Sequence, residues 1–483
     1  MVGRWIQTMN DVVWGIPLVV LLLGTHIFFT IRTGFIQKKI GKAVSLLRKN
    51  EDGRIGTMRP REVFSAVAAS MLGTGNITGL GAAIVMGGPG ALFWFWMTGI
   101  FGMATKYAET VLAVKFRVKD QDGTIKGGPM YVMERGLNKK WMGKWYAAVG
   151  AVAALAIGGA IQICSVANVA DVDIRMALVG TNNFFTEIVE QYPWITKAII
   201  GVLAALVTAI VILGGLKSIA AICNTAFPFI LTVYTVGSVL ILIANHGWIG
   251  QACSLILKCA FGSTRAVAGG IAGAGISKAV RCGTMRGMFS NEAGIGISGI
   301  VEANTKSSNP ACQGIISLLG TFIDTVVMGM LTGLVMVTGI LKNGISISGV
   351  SETEIVINLF KRCTSLERFL FVTGIIVFAY LTILGWSYYG EQCAEYLFGK
   401  KSREIYQMIW LIVLITAPVC EIQLVREVAD CLNGLLAIPN LITLILLAPV
   451  VISETKEYRC HPDQKKNKIF EEQEKEKNHS IYI

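Results

Sequence analysis

Residues 65–96 read SAVAASMLGTGNITGLGAAIVMGGPGALFWFW and decide the fold class. The stretch is apolar and long enough to cross a bilayer, but Gly73-Thr74-Gly75-Asn76 interrupts it. Glycine is disfavoured inside a helix, and Thr and Asn compete for backbone hydrogen bonds. The sequence therefore predicts a helix that opens at residues 73–76. Because open backbone at membrane depth is tolerated only where it faces protein or water, the break indicates a binding site.

The composition is that of an integral membrane protein. Of the 483 residues, 53% are hydrophobic and 15% are charged, and the mean hydropathy is +0.59. The net charge of +12 does not indicate nucleic-acid binding, because Lys and Arg lie in short loops between apolar segments and in the tail. The 11 cysteines show no CxxC pair and no zinc spacing, so we expect neither a disulfide framework nor a metal cluster.

About eleven apolar stretches reach the length of about 20 residues that a transmembrane helix needs. They lie near residues 11–33, 62–86, 91–115, 146–170, 198–215, 218–244, 252–289, 314–340, 367–398, 404–420 and 431–453. The loops between spans one and two and between spans three and four are rich in Lys and Arg, which predicts that both are cytoplasmic. An outside N-terminus and a cytoplasmic C-terminus follow.

A second glycine-rich interruption occurs at residues 269–275, in a span that crosses in the opposite sense. Paired broken segments in opposed halves are typical of an inverted repeat. The predicted fold is an all-α membrane protein with a 5+5 inverted repeat, spans two to six and seven to eleven, plus one extra N-terminal helix. Its predicted parts are an N-terminal helix with a basic loop (1–60), two repeats (61–245 and 246–453) and a charged cytoplasmic tail (454–483).

Several motifs in this order resemble the signature of the alanine or glycine:cation symporter family, the sodium:alanine symporters. They are GTGNI (73–77), GGPGA (87–91), FW (93–94), GGPMY (127–131), RGMFSNEAG (286–294), FIDT (322–325) and GWSYYGE (385–391). The resemblance implies the leucine-transporter-like fold and sodium-driven uptake of alanine and glycine through the plasma or inner membrane of a prokaryote. It implies no enzyme activity and no cofactor beyond sodium as the coupling ion, and the sequence leaves the oligomeric state open.

The substrate site is predicted at the two breaks. An opened helix offers N–H groups to a carboxylate and C=O groups to an ammonium group or a cation, whereas the alternative is close packing of glycines between helices. The predicted substrate-binding residues are Gly73, Thr74, Gly75, Asn76, Gln162, Gly269, Gly270 and Trp386. For Gln162 and Trp386 the role is implied by the resemblance, and a hydrogen bond between helices is the alternative for Gln162.

The sodium site is predicted beside the first break. Thr382 lies one helical turn before Trp386, and the resemblance implies that its hydroxyl joins the carbonyl oxygens of Ala69 and Leu72. Leu381 stands where relatives usually carry Ser or Thr, which leaves proton coupling as an alternative.

Further polar residues lie inside or at the ends of the apolar spans. Asp324 is either a functional carboxylate or a buried structural hydrogen-bond acceptor. Lys106 and Glu109, three residues apart, are predicted to pair with each other. The Asn291-Glu292-Ala293-Gly294 block is predicted at the cytoplasmic end of span seven, in a gate.

Two other classes of function have less support in the sequence. An intramembrane enzyme would need a metal or nucleophile cluster, but the four histidines are scattered and neither HExxH nor GxSxG occurs. A channel would need a ring of ligands in a symmetric oligomer, which opposed broken helices do not favour. The sequence therefore indicates a secondary active transporter.

Overall fold

The computed structural model describes residues 2–48, 56–120, 122–178, 184–262, 275–345 and 365–460, and most of them are helical. The helices are α1 (Val2–Val13), α2 (Ile16–Arg32), α3 (Ile40–Arg48), α4 (Pro60–Met71), α5 (Thr78–Gly87), α6 (Ala91–Lys115), α7 (Pro129–Tyr131), α8 (Lys140–Ala153), α9 (Ile161–Leu178), α10 (Phe184–Gln191), α11 (Ile195–Ile212), α12 (Gly215–Ala244), α13 (His246–Phe261), α14 (Ile276–Asn291), α15 (Gly299–Glu302), α16 (Pro310–Thr321), α17 (Gly329–Asn343), α18 (Ser365–Phe398), α19 (Ser402–Thr416), α20 (Ile422–Leu446) and α21 (Ala448–Cys460). In the same part of the chain, β1 (Val118–Lys119) pairs antiparallel with β2 (Ile125–Lys126).

Several helices contain wider or tighter turns. Wider π-helical turns at Val132–Gly136, Ala154–Ala160 and Phe322–Met328 continue α7, join α8 to α9 and join α16 to α17. Short 3₁₀ turns lie at Ile36–Lys39, Thr74–Asn76 and Ala417–Val419. Because π turns leave a main-chain carbonyl free of its usual partner, they are frequent at functional sites.

Six of the described helices are long and apolar enough to cross a membrane. They are Lys140–Arg175, Ile195–Ile212, Gly215–Ala244, Pro310–Asn343, Glu367–Phe398 and Ile422–Leu446. A seventh results if Trp5–Val13 and Ile16–Arg32, bent by 40°, form one span. The predicted count of eleven is not confirmed. One reason is that the predicted second span consists of two short halves, α4 and α5.

The first break lies where the sequence predicts it. Helix α4 ends at Met71, Gly73 has extended backbone, and a 3₁₀ turn at Thr74–Asn76 precedes α5. The Gly73 N–H donates to the Met71 carbonyl at 2.8 Å, so the Ala69 carbonyl loses the donor that a continuous helix would supply. The regular pattern of helical hydrogen bonds thus ends at this point inside the protein.

The predicted seventh span, 252–289, is divided between α13 and α14. Gly269 and Gly270 lie outside the described residues. In the described part of the second half, the helical backbone of α14 ends at Asn291. In the turn that follows, residues 292–296, Glu292, Gly294 and Gly296 all have positive φ. This turn is called the second break below. Glycine adopts this conformation without a Cβ penalty, so the GIG sequence after the NEA triplet permits the turn.

The two breaks pack against each other at the boundary of two apolar clusters. Leu72 and Ile77 of the first break belong to one cluster, whereas Met71, Phe289 and Trp386 belong to the other. A Cβ on Gly75 would lie 3.4 Å from the Phe289 ring and 3.5 Å from the Ser290 Cα. The end of α14 therefore rests directly on residues 73–76.

A buried ion pair fixes α14 against α20. The Arg286 guanidinium donates to both carboxylate oxygens of Asp430, at 2.8 and 2.6 Å. Arg286 is 3% exposed, and the carboxylate of Asp430 offsets the cost of burying its positive charge. On the same helix, Arg281 forms a solvent-exposed pair with Asp11.

We expect Asp430→Asn to destabilise the protein by about 3–5 kcal/mol, because it leaves the Arg286 charge buried without its partner. Thermal unfolding of the purified protein in detergent micelles measures the change. Arg281→Gln is the matched control, since an exposed pair contributes about 0–1 kcal/mol. Equal unfolding midpoints for the two variants would contradict the assignment.

Candidate functional site

The Asp324 carboxylate joins the two breaks. It lies in the π turn between α16 and α17 and is 1% exposed. One oxygen accepts from Asn76 Nδ2 at 2.5 Å, and the other accepts from the hydroxyls of Ser290 and Thr325 at 2.8 and 2.7 Å. The Ser290 hydroxyl also donates to Asn76 Oδ1 at 3.1 Å. Because Asn76 belongs to the first break and Ser290 directly precedes the second, one carboxylate fixes their separation.

Gln162 closes the first break from the side of α9. Its Oε1 accepts from the Thr74 N–H at 3.0 Å, and its Nε2 donates to the Ile157 carbonyl at 3.1 Å. Ile157 lies in the π turn before α9, which leaves that carbonyl available to the side chain. The hydrogen bond from the Thr74 N–H to Gln162 thus connects α9 to the first break. A contact of Gln162 with substrate stays a prediction.

Thr382 faces the first break from α18. A Cβ built on Gly73 would lie 2.9 Å from Thr382 Oγ1 and 3.1 Å from Gln162 Oε1. The Thr382 hydroxyl is buried and has no hydrogen-bond partner in the described part of the chain. A buried hydroxyl without a partner destabilises the folded protein. A bound ligand or ion that contacts the Thr382 oxygen would offset this cost.

The donor set beside Thr382 fits a hard cation. Ala69 and Leu72 are fully buried at the end of α4, and the Ala69 carbonyl lacks the Gly73 N–H as donor. Two carbonyl oxygens and a hydroxyl are the oxygen ligands that sodium takes. The three predicted sodium ligands therefore lie at one end of the first break, although their binding of an ion remains a prediction.

Trp386 packs on α8 and α9 and points to the second break. A Cβ on Gly158 would lie 2.0 Å from the Trp386 Cβ, so the indole needs the absence of a side chain there. The indole N–H donates to Glu292 Oε1 at 2.9 Å. Trp386 thus forms a wall between the π turn of Ala154–Ala160 and the Glu292 turn.

The second break is supported by charged residues of α6. Glu109 accepts from the Gly294 N–H and from Asn440 Nδ2, both at 2.8 Å. Lys106 Nζ lies 3.9 Å from Glu292 Oε2, and both side chains are buried. Lys106 and Glu109 interact through their charges, as the sequence predicts, and each also contacts the second break. The additional contacts arise because the turn after Asn291 offers an N–H and a carboxylate.

The Asn291–Gly294 block lies at the end of α14, where the sequence predicts it, and its turn contacts Trp386. Its place on the cytoplasmic side and its role in a gate stay predictions. Ser290, Glu292 and Gly158 are the site residues that sequence reasoning missed. The available signal was the GIG sequence directly after the charged residue of an NEA triplet.

The profile of the sodium:alanine symporter family matches residues 1–472. The chain belongs to this family. It is 39% identical to the sodium/alanine symporter AgcS of Methanococcus maripaludis over 94% of this chain and 96% of that protein. It is 32% identical to the probable sodium/glutamine symporter GlnT of Bacillus subtilis over 95% and 91%. It is also 28% identical to a putative sodium/proton-dependent alanine carrier protein, YrbD of B. subtilis, over 97% and 94%.

A solved structure of MhsT in complex with L-phenylalanine shares the fold. The TM-score is 0.57 over 83% of this chain and 99% of that chain, at 12% identity. The predicted leucine-transporter-like fold is confirmed. As a member of the sodium:alanine symporter family, the chain is a membrane-embedded secondary transporter that carries an amino acid with a cation, and it is not an enzyme.

Two glycines of the broken span provide a matched test of the site. A methyl group on Gly73 would meet Thr382 and Gln162, whereas nothing lies within 4 Å of a Cβ on Gly79. We expect Gly73→Ala to lower initial alanine uptake into proteoliposomes about five- to hundredfold, the effect of 1–3 kcal/mol of overpacking. Gly79→Ala should transport like the wild type. Equal uptake by both variants would show that neither the substrate nor the coupling ion needs the space beside Gly73.

Proposed function

We propose that this chain is a sodium-coupled symporter that carries alanine and glycine across the plasma membrane into the cell. The observation that carries the proposal is the buried, unpartnered Thr382 hydroxyl next to the opened backbone at Gly73. An oxygen without a donor, beside main-chain carbonyls freed from a helix, is what a bound sodium ion requires. The names of two relatives, a sodium/alanine and a probable sodium/glutamine symporter, support sodium as the coupling ion.

The substrate would bind between the two breaks. Residues 73–76 bring the N-terminal end of α5 to the site, where main-chain N–H groups suit the carboxylate of an amino acid. Carbonyl oxygens at the end of α4 suit the ammonium group. Trp386, seated on Gly158, closes the space from α18. This wall and the tight surroundings of Gly73 favour a small neutral side chain.

The Asp324 cluster offers a second set of oxygen atoms between the breaks. Asn76 Oδ1, the Ser290 hydroxyl and both carboxylate oxygens converge there. Such a cluster links the occupancy of the site to the relative position of the two halves. Rocking of the halves would expose the site alternately to each side of the membrane, with the N-terminus outside and the C-terminus in the cytoplasm.

Proton coupling is the second candidate. Leu381 is fully buried beside Thr382 and supplies no oxygen where the family usually has Ser or Thr. A relative whose name includes sodium/proton dependence makes this alternative specific. Uptake of labelled alanine into proteoliposomes under an imposed sodium gradient or an imposed pH gradient separates the two. Uptake that follows the pH gradient and ignores sodium would refute sodium coupling.

Replacement of Thr382 by Val keeps the side-chain shape but removes the oxygen. We expect the sodium concentration for half-maximal uptake to rise about five- to hundredfold, which corresponds to roughly 1–3 kcal/mol for a lost buried polar interaction. Thr382→Ser keeps the hydroxyl and should retain nearly wild-type sodium dependence. An unchanged sodium dependence of Thr382→Val rules this hydroxyl out as a ligand.

Replacement of Trp386 by Ala should weaken alanine uptake and admit larger neutral amino acids, because the truncation leaves a cavity where the indole was. Competition of labelled alanine uptake by leucine and phenylalanine measures the change. Trp386→Phe keeps a ring but removes the N–H donor to Glu292. It should keep the wild-type size limit if the ring volume sets specificity. A substrate profile unchanged in Trp386→Ala would disprove this wall.

A further inference from the structure

A wide groove lies between α3, the beginning of α4, α12 and the π turn at Phe322–Met328. Its volume is about 820 Å³, and it is separate from the site at the two breaks. The inner walls are largely apolar and include Phe64, Phe227, Pro228, Leu231 and Ile323. A cavity of this size and lining fits an extended hydrocarbon chain.

Three arginines line the same groove. Arg48 ends α3, and Arg59 and Arg61 flank the first residue of α4. All three are exposed, and no acidic side chain in the described ranges forms an ion pair with them. Glu62, their acidic neighbour in sequence, accepts from the Arg59 main-chain N–H at 2.8 Å. Within the described ranges, the three guanidinium groups thus have no acidic side chain that competes with an anion in the groove.

The groove borders a helix that faces the membrane. Pro228 and Leu231 belong to α12, one of the apolar spans, and the neighbouring Phe229 is 71% exposed. In a membrane protein, an exposed phenylalanine on a span contacts lipid acyl chains. A ligand that entered from this side would arrive from the bilayer and not from water.

We propose that this groove binds an anionic phospholipid. The phosphate of the headgroup contacts Arg48, Arg59 and Arg61, because guanidinium groups match phosphate geometry with paired N–H donors. One acyl chain lies along Phe64, Phe227 and Leu231. An inorganic phosphate would leave the apolar walls uncovered, and a neutral lipid would leave the three charges unpaired. The occupied groove rests on the first turns of α4, so the lipid contacts the first half of the broken span.

The test is a count of the phospholipids retained by the purified full-length protein. The protein is equilibrated in mixed micelles with equal amounts of phosphatidylglycerol and phosphatidylcholine, and bound lipid is measured by native mass spectrometry. We expect preferential retention of phosphatidylglycerol by the wild type. The combined variant Arg48→Gln, Arg59→Gln, Arg61→Gln should bind phosphatidylglycerol with an affinity more than tenfold lower. The reason is that each positive charge near an anionic headgroup raises the affinity about fivefold.

The control removes three exposed lysines that do not line the groove, Lys139→Gln, Lys144→Gln and Lys401→Gln, and should retain the lipid. Leu231→Trp fills the groove without a change in charge and should also release it. Equal retention of both lipids by the wild type, equal loss in the arginine and lysine variants, or full retention by Leu231→Trp would each overturn the proposal. If the triple arginine variant does not fold, Arg61→Gln alone should show the fivefold loss.

Discussion

A single buried carboxylate, Asp324, sets the geometry on which the central site depends. Broken helices cannot hold their own shape, because the residues at the break lack the i→i−4 hydrogen bonds that fix a continuous helix. Neighbouring continuous helices supply the missing partners. Asp324 binds Asn76 of the first break and Ser290 beside the second, Gln162 takes the free Thr74 N–H, and Glu109 takes the free Gly294 N–H. The site is thus framed by side chains that lie outside the breaks.

The second break is tied to Trp386, the wall of the proposed pocket, through Glu292. Lys106 lies beside Glu292, and Glu292 accepts from the Trp386 indole. Buried charges are costly when they lack partners, so the Glu292 carboxylate is constrained on both sides. On α14 itself, Arg286 is held by Asp430 of α20. A movement of α14 therefore changes the surroundings of Trp386 and the contact with α20 together, which links the pocket to the helices around it.

The sequence was sufficient for the first break and for the fold class. Gly73 and Asn76 are local signals, since glycine and short polar residues weaken a helix wherever they occur. It was not sufficient for the Glu292–Gly296 turn, because nothing local in the sequence marks Glu292 as buried. The predicted break at 269–275 lies outside the described residues and stays a prediction. What distinguishes Glu292 is its buried partners, Lys106 and Trp386, which come from distant helices. The partners of Lys106 and Glu109 were missed for the same reason.

Gly158 sets how closely α18 approaches the π turn at Ala154–Ala160. The indole occupies the volume that any side chain at residue 158 would need, since a Cβ there would lie 2.0 Å from the Trp386 Cβ. Every residue except glycine carries a Cβ, so truncation of the ring at 386 would not make room for a side chain at 158. Relatives named for alanine and for glutamine belong to the same family. A smaller ring at 386 with Gly158 retained is therefore the exchange that would enlarge the proposed pocket while the hydrogen bonds of Asp324 stay untouched.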